Sequence, residues 1–175
     1  MFTALLGAVS QGILWGVMVL GVYITYKLLD IPDLTADGSF AFGGCVCAVM
    51  IVNFHMNPLA ALIFATIAGM IAGFITGALH TIFEIPAILA GILTQISLWS
   101  INLRVMGKSN VPLLKTKTIF SWLTDATGIS NSMAGVILGG IIIVLTILIL
   151  YWFFGTELGS ALRATGNNEA MIRAL

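Results

Sequence analysis

Residues 133–154 run without one charged side chain, and Ile141-Ile-Ile-Val-Leu lies at the middle of the run. A helix that crosses a bilayer needs about 20 mostly apolar residues, so this stretch alone places the chain in a membrane. Four more runs support the same reading. Residues 5–29 form the first, with Lys27 near its end. Residues 40–54 form a shorter one, glycine-rich at its start. Residues 59–83 form a long one. Residues 85–103 form the last, with Pro86 at its start, where proline suits a first helical turn. The expected fold is all-α: a polytopic transmembrane helical bundle of five or six membrane segments over 1–154, followed by a short helical segment in 155–175.

Composition closes off the soluble alternative. Only 8% of the 175 residues are charged and 59% are hydrophobic, and the mean hydropathy is +1.10. A soluble domain carries about 25% charge. So few charges cannot dress a water-facing surface. The net charge of +0 offers nucleic acid no attraction. The first run lacks a basic start and is long, so it reads as a retained span and not a cleaved leader.

The usual marks of chemistry are absent or fail. Gly107-Lys108-Ser109 resembles the end of a phosphate-binding loop, but that pattern needs glycine at 102, where Asn102 stands. Any nucleotide therefore binds another subunit. Cys45 and Cys47 form Cys-Val-Cys in an apolar run, without further metal ligands at suitable spacing, and read as small packed residues. His55 and His80 stand singly near span ends. No nucleophile elbow occurs. The chain is expected to carry no catalytic residue, no metal site and no cofactor of its own. Glu84 abuts the start of the fourth run. It is a functional candidate if it lies in lipid, and an ordinary interfacial residue if it lies at the water boundary.

Small residues recur at four-residue spacing: Gly12 and Gly16, Gly135 and Gly139, and the longer row Gly69, Gly73 and Gly77, widened by Ala65, Ala72 and Thr76. Such rows let helices approach closely in lipid, either within one bundle or between subunits. Trp15, Trp99, Trp122, Tyr151 and Trp152 mostly fall near proposed span ends, as interfacial aromatics do. With five spans, one side holds Arg104, Lys108, Lys115 and Lys117 and the other Lys27, Arg163 and Arg173. Four against three does not set an orientation.

The polar tail is the most informative segment. Thr156 can cap a helix, and Glu157 suits its positive end. Leu158, Ala161, Leu162 and Thr165 share one face at helical spacing. Gly166 is expected to end that helix in a left-handed turn, after which Asn167 can cap a second short helix with Glu169 in its first turn. A short helix of this kind either docks into a groove of another protein or lies at the membrane surface.

The tail Glu157-Leu-Gly-Ser-Ala-Leu-Arg-Ala-Thr-Gly-Asn-Asn resembles the cytoplasmic coupling motif of ATP-binding-cassette importer permeases of the branched-chain amino acid and ribose type. Pro32-Asp-Leu-Thr-Ala-Asp-Gly-Ser-Phe40 with Gly43-Gly44 resembles the segment that opens that family's second span. Gly73, Gly77, Leu79, Ile85-Pro86, Leu89-Ala-Gly91 and Thr94 resemble its central block. Leu89-Ala-Gly-Ile-Leu-Thr with Ser100-Ile-Asn-Leu-Arg-Val-Met-Gly resembles a sub-branch associated with amino acid uptake, aromatic amino acids included.

The resemblance implies a permease subunit in the cytoplasmic (inner) membrane of a prokaryote. It would work with a separate ATPase subunit that binds the ATP, a second permease copy and an extracytoplasmic solute-binding protein, in contact with lipid and with no nucleic acid. It implies a cytoplasmic tail, with Glu157, Leu158, Leu162, Arg163, Gly166 and Asn167 contacting the ATPase. Thr35, Asp37, Gly38 and Ser39 become candidates for lining the pathway. On composition alone they read equally as a capped interfacial turn, with Asp37 or Ser39 as cap and Gly38 in the turn. The resemblance further implies several more spans after the coupling segment, so that 175 residues alone would not transport. Half of a transporter without ATP coupling is the alternative, expected to show a charge or a broken helix at mid-membrane. A structural membrane subunit is a third.

Overall fold

The computed structural model describes residues 2–113 and 116–167. Its helices are α1 (Phe2–Tyr23), which continues into a π-helical turn (Ile24–Leu28), α2 (Thr35–Val52), α3 (Pro58–Thr81), α4 (Ala87–Met106), α5 (Ile119–Thr127), α6 (Asn131–Phe154) and α7 (Glu157–Asn167). Among the described residues there is no strand. Five segments are long and apolar enough to cross a membrane: Ala4–Leu28, Thr35–Val52, Pro58–Thr81, Ala87–Met106 and Asn131–Phe154. The protein is a multi-pass membrane protein. Helix α5, at 9 residues, rises only about 14 Å and spans nothing.

Contacts divide the chain into two compact units, Met1–Pro32 with Leu123–Leu175, and Asp33–Trp122. In the first, α1 packs on α6 through reciprocal glycines. Ile143 Cδ1 lies 3.1 Å from where a Cβ on Gly16 would be, and Ile13 Cγ2 lies 2.8 Å from the same position on Gly139. Gly135 is buried beside them, whereas Gly12 meets nothing within 4 Å.

The second unit is the bundle of α2, α3 and α4. Helix α3 buries Ala61, Ala68, Ala72 and Thr76, a row at seven- and four-residue steps along one helix face. The row of glycines beside it behaves differently. Gly69 comes within 4.0 Å of the Ser39 carbonyl, but Gly73 and Gly77 meet nothing within 4 Å. The alanines and Thr76, not the later glycines, make this unit's helix interface.

Three helix ends share one construction. Asp30, His55 and Glu84 adopt left-handed φ of 53°, 49° and 56°. In each case the next amide bonds to the carbonyl six residues back: Ile31 to Thr25 at 3.1 Å, Met56 to Met50 at 3.2 Å and Ile85 to Leu79 at 3.3 Å. A proline then follows, at Pro32, Pro58 and Pro86, where the helix cannot continue. Glu84 and His55 are thus exposed turn residues. His80 helps close its turn, with Nδ1 2.8 Å from the Ile85 carbonyl oxygen. Gly107, at φ 64°, is the left-handed cap of α4, which accounts for the glycine of the Gly-Lys-Ser triplet.

Candidate functional site

Helix α2 begins five residues earlier than its apolar run, because the polar stretch before Phe40 finds partners inside the bundle. Asp33 Oδ1, just before the N-cap residue Leu34, accepts the Thr35 amide at 2.8 Å. Thr35 Oγ1 and Thr76 Oγ1 share a buried hydrogen bond of 3.0 Å. Ser39 Oγ donates to the Ala36 carbonyl at 3.1 Å. The interfacial turn allowed by composition is therefore not what forms. Leu34 is the N-cap residue, with Asp33 bonding the first helical amide, Thr35 to Ser39 are helical, and Gly38 is a packing contact: a Cβ there would lie 3.2 Å from Gln95 Cα.

Gly91 explains how the chain enters α2 so far inside the bundle. A Cβ on Gly91 would lie 3.0 Å from both Asp33 Oδ1 and the Leu34 nitrogen, so glycine lets this non-helical backbone lie closer to α4 than a larger residue would. The start of α2 is thus level with the fourth residue after Ala87. Gln95 is level with Asp37 and donates to it, Nε2 to Oδ2, at 3.1 Å. Further along, Cys45 Sγ donates to the Asn102 carbonyl at 3.6 Å. The two helices run parallel in this register, and Asp37 sits beside the middle of α4 instead of at its end.

A cavity of about 460 Å³ follows this seam, lined by Asp37, Gly38, Ala41, Gln95, Ile96, Trp99 and Asn102. Asn102 is 8% exposed, and its Oδ1 has no hydrogen-bond partner among the described residues. Sequence reasoning missed Gln95 and Asn102. Their spacing of seven places them on one face of a helix, and that signal was legible once α4 was recognised.

The other unit contains α7. Thr156 caps it, with Oγ1 accepting the Gly159 amide at 3.3 Å. Gly159 and Gly166, seven apart, form its inner face. A Cβ on Gly159 would collide with the Phe153 carbonyl and the Phe154 Cα, and one on Gly166 with the Leu28 carbonyl of the π turn. Gly166 therefore does not end the helix in a left-handed turn. It is helical, and its lack of a side chain seats α7 on the end of α1. The second short helix expected beyond Asn167 lies outside the described residues. Leu158 and Leu162 are exposed. Arg163 Cζ lies 5.2 Å from the centre of the Phe154 ring, a cation–π contact within the chain that the tail's spacing did not reveal.

The family model described as "Branched-chain amino acid transport system / permease component" matches residues 4–175. The chain belongs to this family. It is 37% identical over 173 residues to a protein of Clostridioides difficile (strain R20291) named "Tyrosine transport system permease protein", covering 99% of this chain and 55% of that one. It is 36% identical over 168 residues to an uncharacterized protein of Rickettsia prowazekii (strain Madrid E), covering 96% of this chain and 56% of that one. The chain thus spans about half the length of the curated relatives it matches. No solved structure matches it significantly. Membership of this permease family makes the groove between α2 and α4 a candidate for solute contact, and α7 a candidate for contact with another subunit.

Proposed function

We propose that the chain forms part of the membrane-embedded permease of an ATP-binding-cassette importer in a prokaryotic cytoplasmic membrane, and that the solute is an amino acid. The tyrosine permease relative supports that solute class. ATP is hydrolysed on a separate subunit, a second permease copy completes the pathway, and an extracytoplasmic binding protein delivers the solute. The observation that carries this reading is the construction of α7. Two glycines seat it on the ends of α1 and α6 within its own unit, while Leu158 and Leu162 remain exposed. A helix of 11 residues is marginal on its own, and here it is held so that it can present leucines to a partner and pass that partner's movement to the spans.

Docking of a leucine is worth roughly 1.5–3 kcal/mol, and each 1.4 kcal/mol is about tenfold in affinity. In the complete permease, Leu162→Asp and Leu158→Asp should each weaken ATPase association about tenfold or more, with normal membrane insertion. Unchanged co-purification and unchanged ATP-driven uptake in both variants would refute the coupling assignment.

Asp37 gives one argument for a transporter without ATP coupling, since a carboxylate beside the middle of a spanning helix is a mark of such proteins. Reconstitution with and without the ATPase separates the readings. Uptake that needs the ATPase and ATP supports the importer, and uptake driven by an ion gradient alone supports the alternative.

A further inference from the structure

The seam between α2 and α4 holds two polar ends and an apolar middle. At one end the Asp37 carboxylate is oriented by Gln95 Nε2 at 3.1 Å, and among the described residues Asp37 Oδ1 and Gln95 Oε1 remain able to accept from a ligand. At the other end Asn102 is buried, and its Oδ1 is an acceptor that nothing among the described residues satisfies. Ala41, Ile96 and Trp99 line the wall between. Gln95 and Asn102 are seven residues apart on α4, a rise of about 10 Å.

The chemistry of a matching ligand follows from these groups. A carboxylate at this depth calls for a positive charge. Both ends offer acceptors, so the ligand must donate at both. The wall between them suits an apolar or aromatic body. We propose that Asp37, Gln95 and Asn102 form a two-point binding subsite for an amphipathic solute with an ammonium group at one end and an O–H or N–H donor at the other. The ammonium docks on Asp37, and the far donor docks on Asn102 Oδ1. The assignment rests on the permease reading and adds to it the residues that sense the two ends of the solute. It also gives the buried polar side chain of Asn102 a use: a buried acceptor discriminates strongly against a ligand lacking the donor.

Binding of two radiolabelled probes to the complete permease in lipid nanodiscs tests this, with empty nanodiscs correcting for partition into lipid. Tyramine has an ammonium, an aromatic body and a hydroxyl. Phenethylamine lacks only the hydroxyl. Tyramine should bind saturably, and phenethylamine about fivefold or more weakly, the loss expected for an unmade hydrogen bond to a buried group. Asp37→Asn should weaken both probes about tenfold or more, and Asp37→Glu should recover part of the loss. Asn102→Leu should weaken tyramine about fivefold and leave phenethylamine within about twofold. Absence of saturable tyramine binding to the unmodified permease would overturn the subsite. So would tyramine binding unaffected by Asp37→Asn, or equal affinities for the two probes. ATP-driven uptake that remains sensitive to Leu162→Asp in those cases would leave the importer reading standing while the subsite falls.

Discussion

The side-chain amide of Gln95 donates to the Asp37 carboxylate at 3.1 Å, about 12 Å along α4 from that helix's first residue. The hydrocarbon core of a bilayer is about 30 Å thick, so if α4 crosses it from Ala87 the pair lies about 12 Å along that crossing. A carboxylate at that depth in lipid is costly and is a candidate for function, and the proposed subsite gives it one. Asp37→Asn in the complete permease should therefore cut ATP-driven solute uptake about tenfold or more while the thermal unfolding midpoint moves little, because asparagine can still accept from Gln95. Parallel uptake and melting measurements check this. A large loss of stability with no separate loss of uptake would make the pair structural only.

The Thr35–Thr76 hydrogen bond joins α2 to α3 in the buried part of the bundle. Interhelical hydrogen bonds in membranes average about 0.6 kcal/mol and reach about 1.7. Thr35→Val and Thr76→Val should each destabilise by about that amount. The double variant should cost little more than either single one, because the same bond is removed only once. A denaturation series in detergent measures the coupling, and fully additive losses would show that the hydroxyls act separately.

The glycines divide into two classes. Ile13 is already 2.8 Å from where a Cβ on Gly139 would sit, whereas Gly73 has nothing within 4 Å. Gly139→Val overpacks the contact between α1 and α6 and should cost about 1–3 kcal/mol. Gly73→Val should leave the stability of its own bundle within about 0.5 kcal/mol. Melting curves of the two variants decide it, and comparable losses would mean that the row of glycines is a helix interface after all.

Most of the spans were legible in the sequence because an apolar run of spanning length has one physical reading. Where the fold departed from expectation, the cause was tertiary. The stretch before Phe40 is polar and glycine-bearing and reads as a turn, but Asp33, Thr76 and Gln95 supply its partners and it becomes helix. Gly166 reads as a helix stop because glycine tolerates left-handed backbone. Its use here is to let a neighbouring carbonyl come close, and no local pattern distinguishes the two. The repeated ends Asp30-Ile-Pro and Glu84-Ile-Pro were visible as a pattern and could have been read as matching turns. Gln95 and Asn102 could not be read as a pair with Asp37, since that pairing depends on the register of α2 against α4, which Gly38 and Gly91 set by close approach.

The seat of α7 gives a sharper test of force transmission than its exposed face does. Gly166 lies against the backbone of the π turn, and a Cβ would meet the Leu28 carbonyl oxygen, the Leu28 carbonyl carbon at 2.9 Å and the Leu29 Cα at 3.1 Å. All three are backbone atoms, so no rotamer change can make room. Gly166→Ala must therefore lift that end of α7 from α1 or distort the π turn. Only the last turn of the first long segment, Ala4–Leu28, meets these contacts, so expression and insertion should be normal. Leu158 and Leu162 stay exposed, so the helix should still find the proposed ATPase. What should fail is the rigid link between that contact and α1. ATPase co-purification should fall no more than about threefold, and ATP-driven uptake should fall about tenfold or more, with hydrolysis continuing unproductively. Gly12→Ala on α1, where a Cβ meets nothing within 4 Å, is the matched control and should leave both near normal. If Gly166→Ala transports as well as Gly12→Ala, the seat on the π turn is not the route by which movement of α7 reaches the spans.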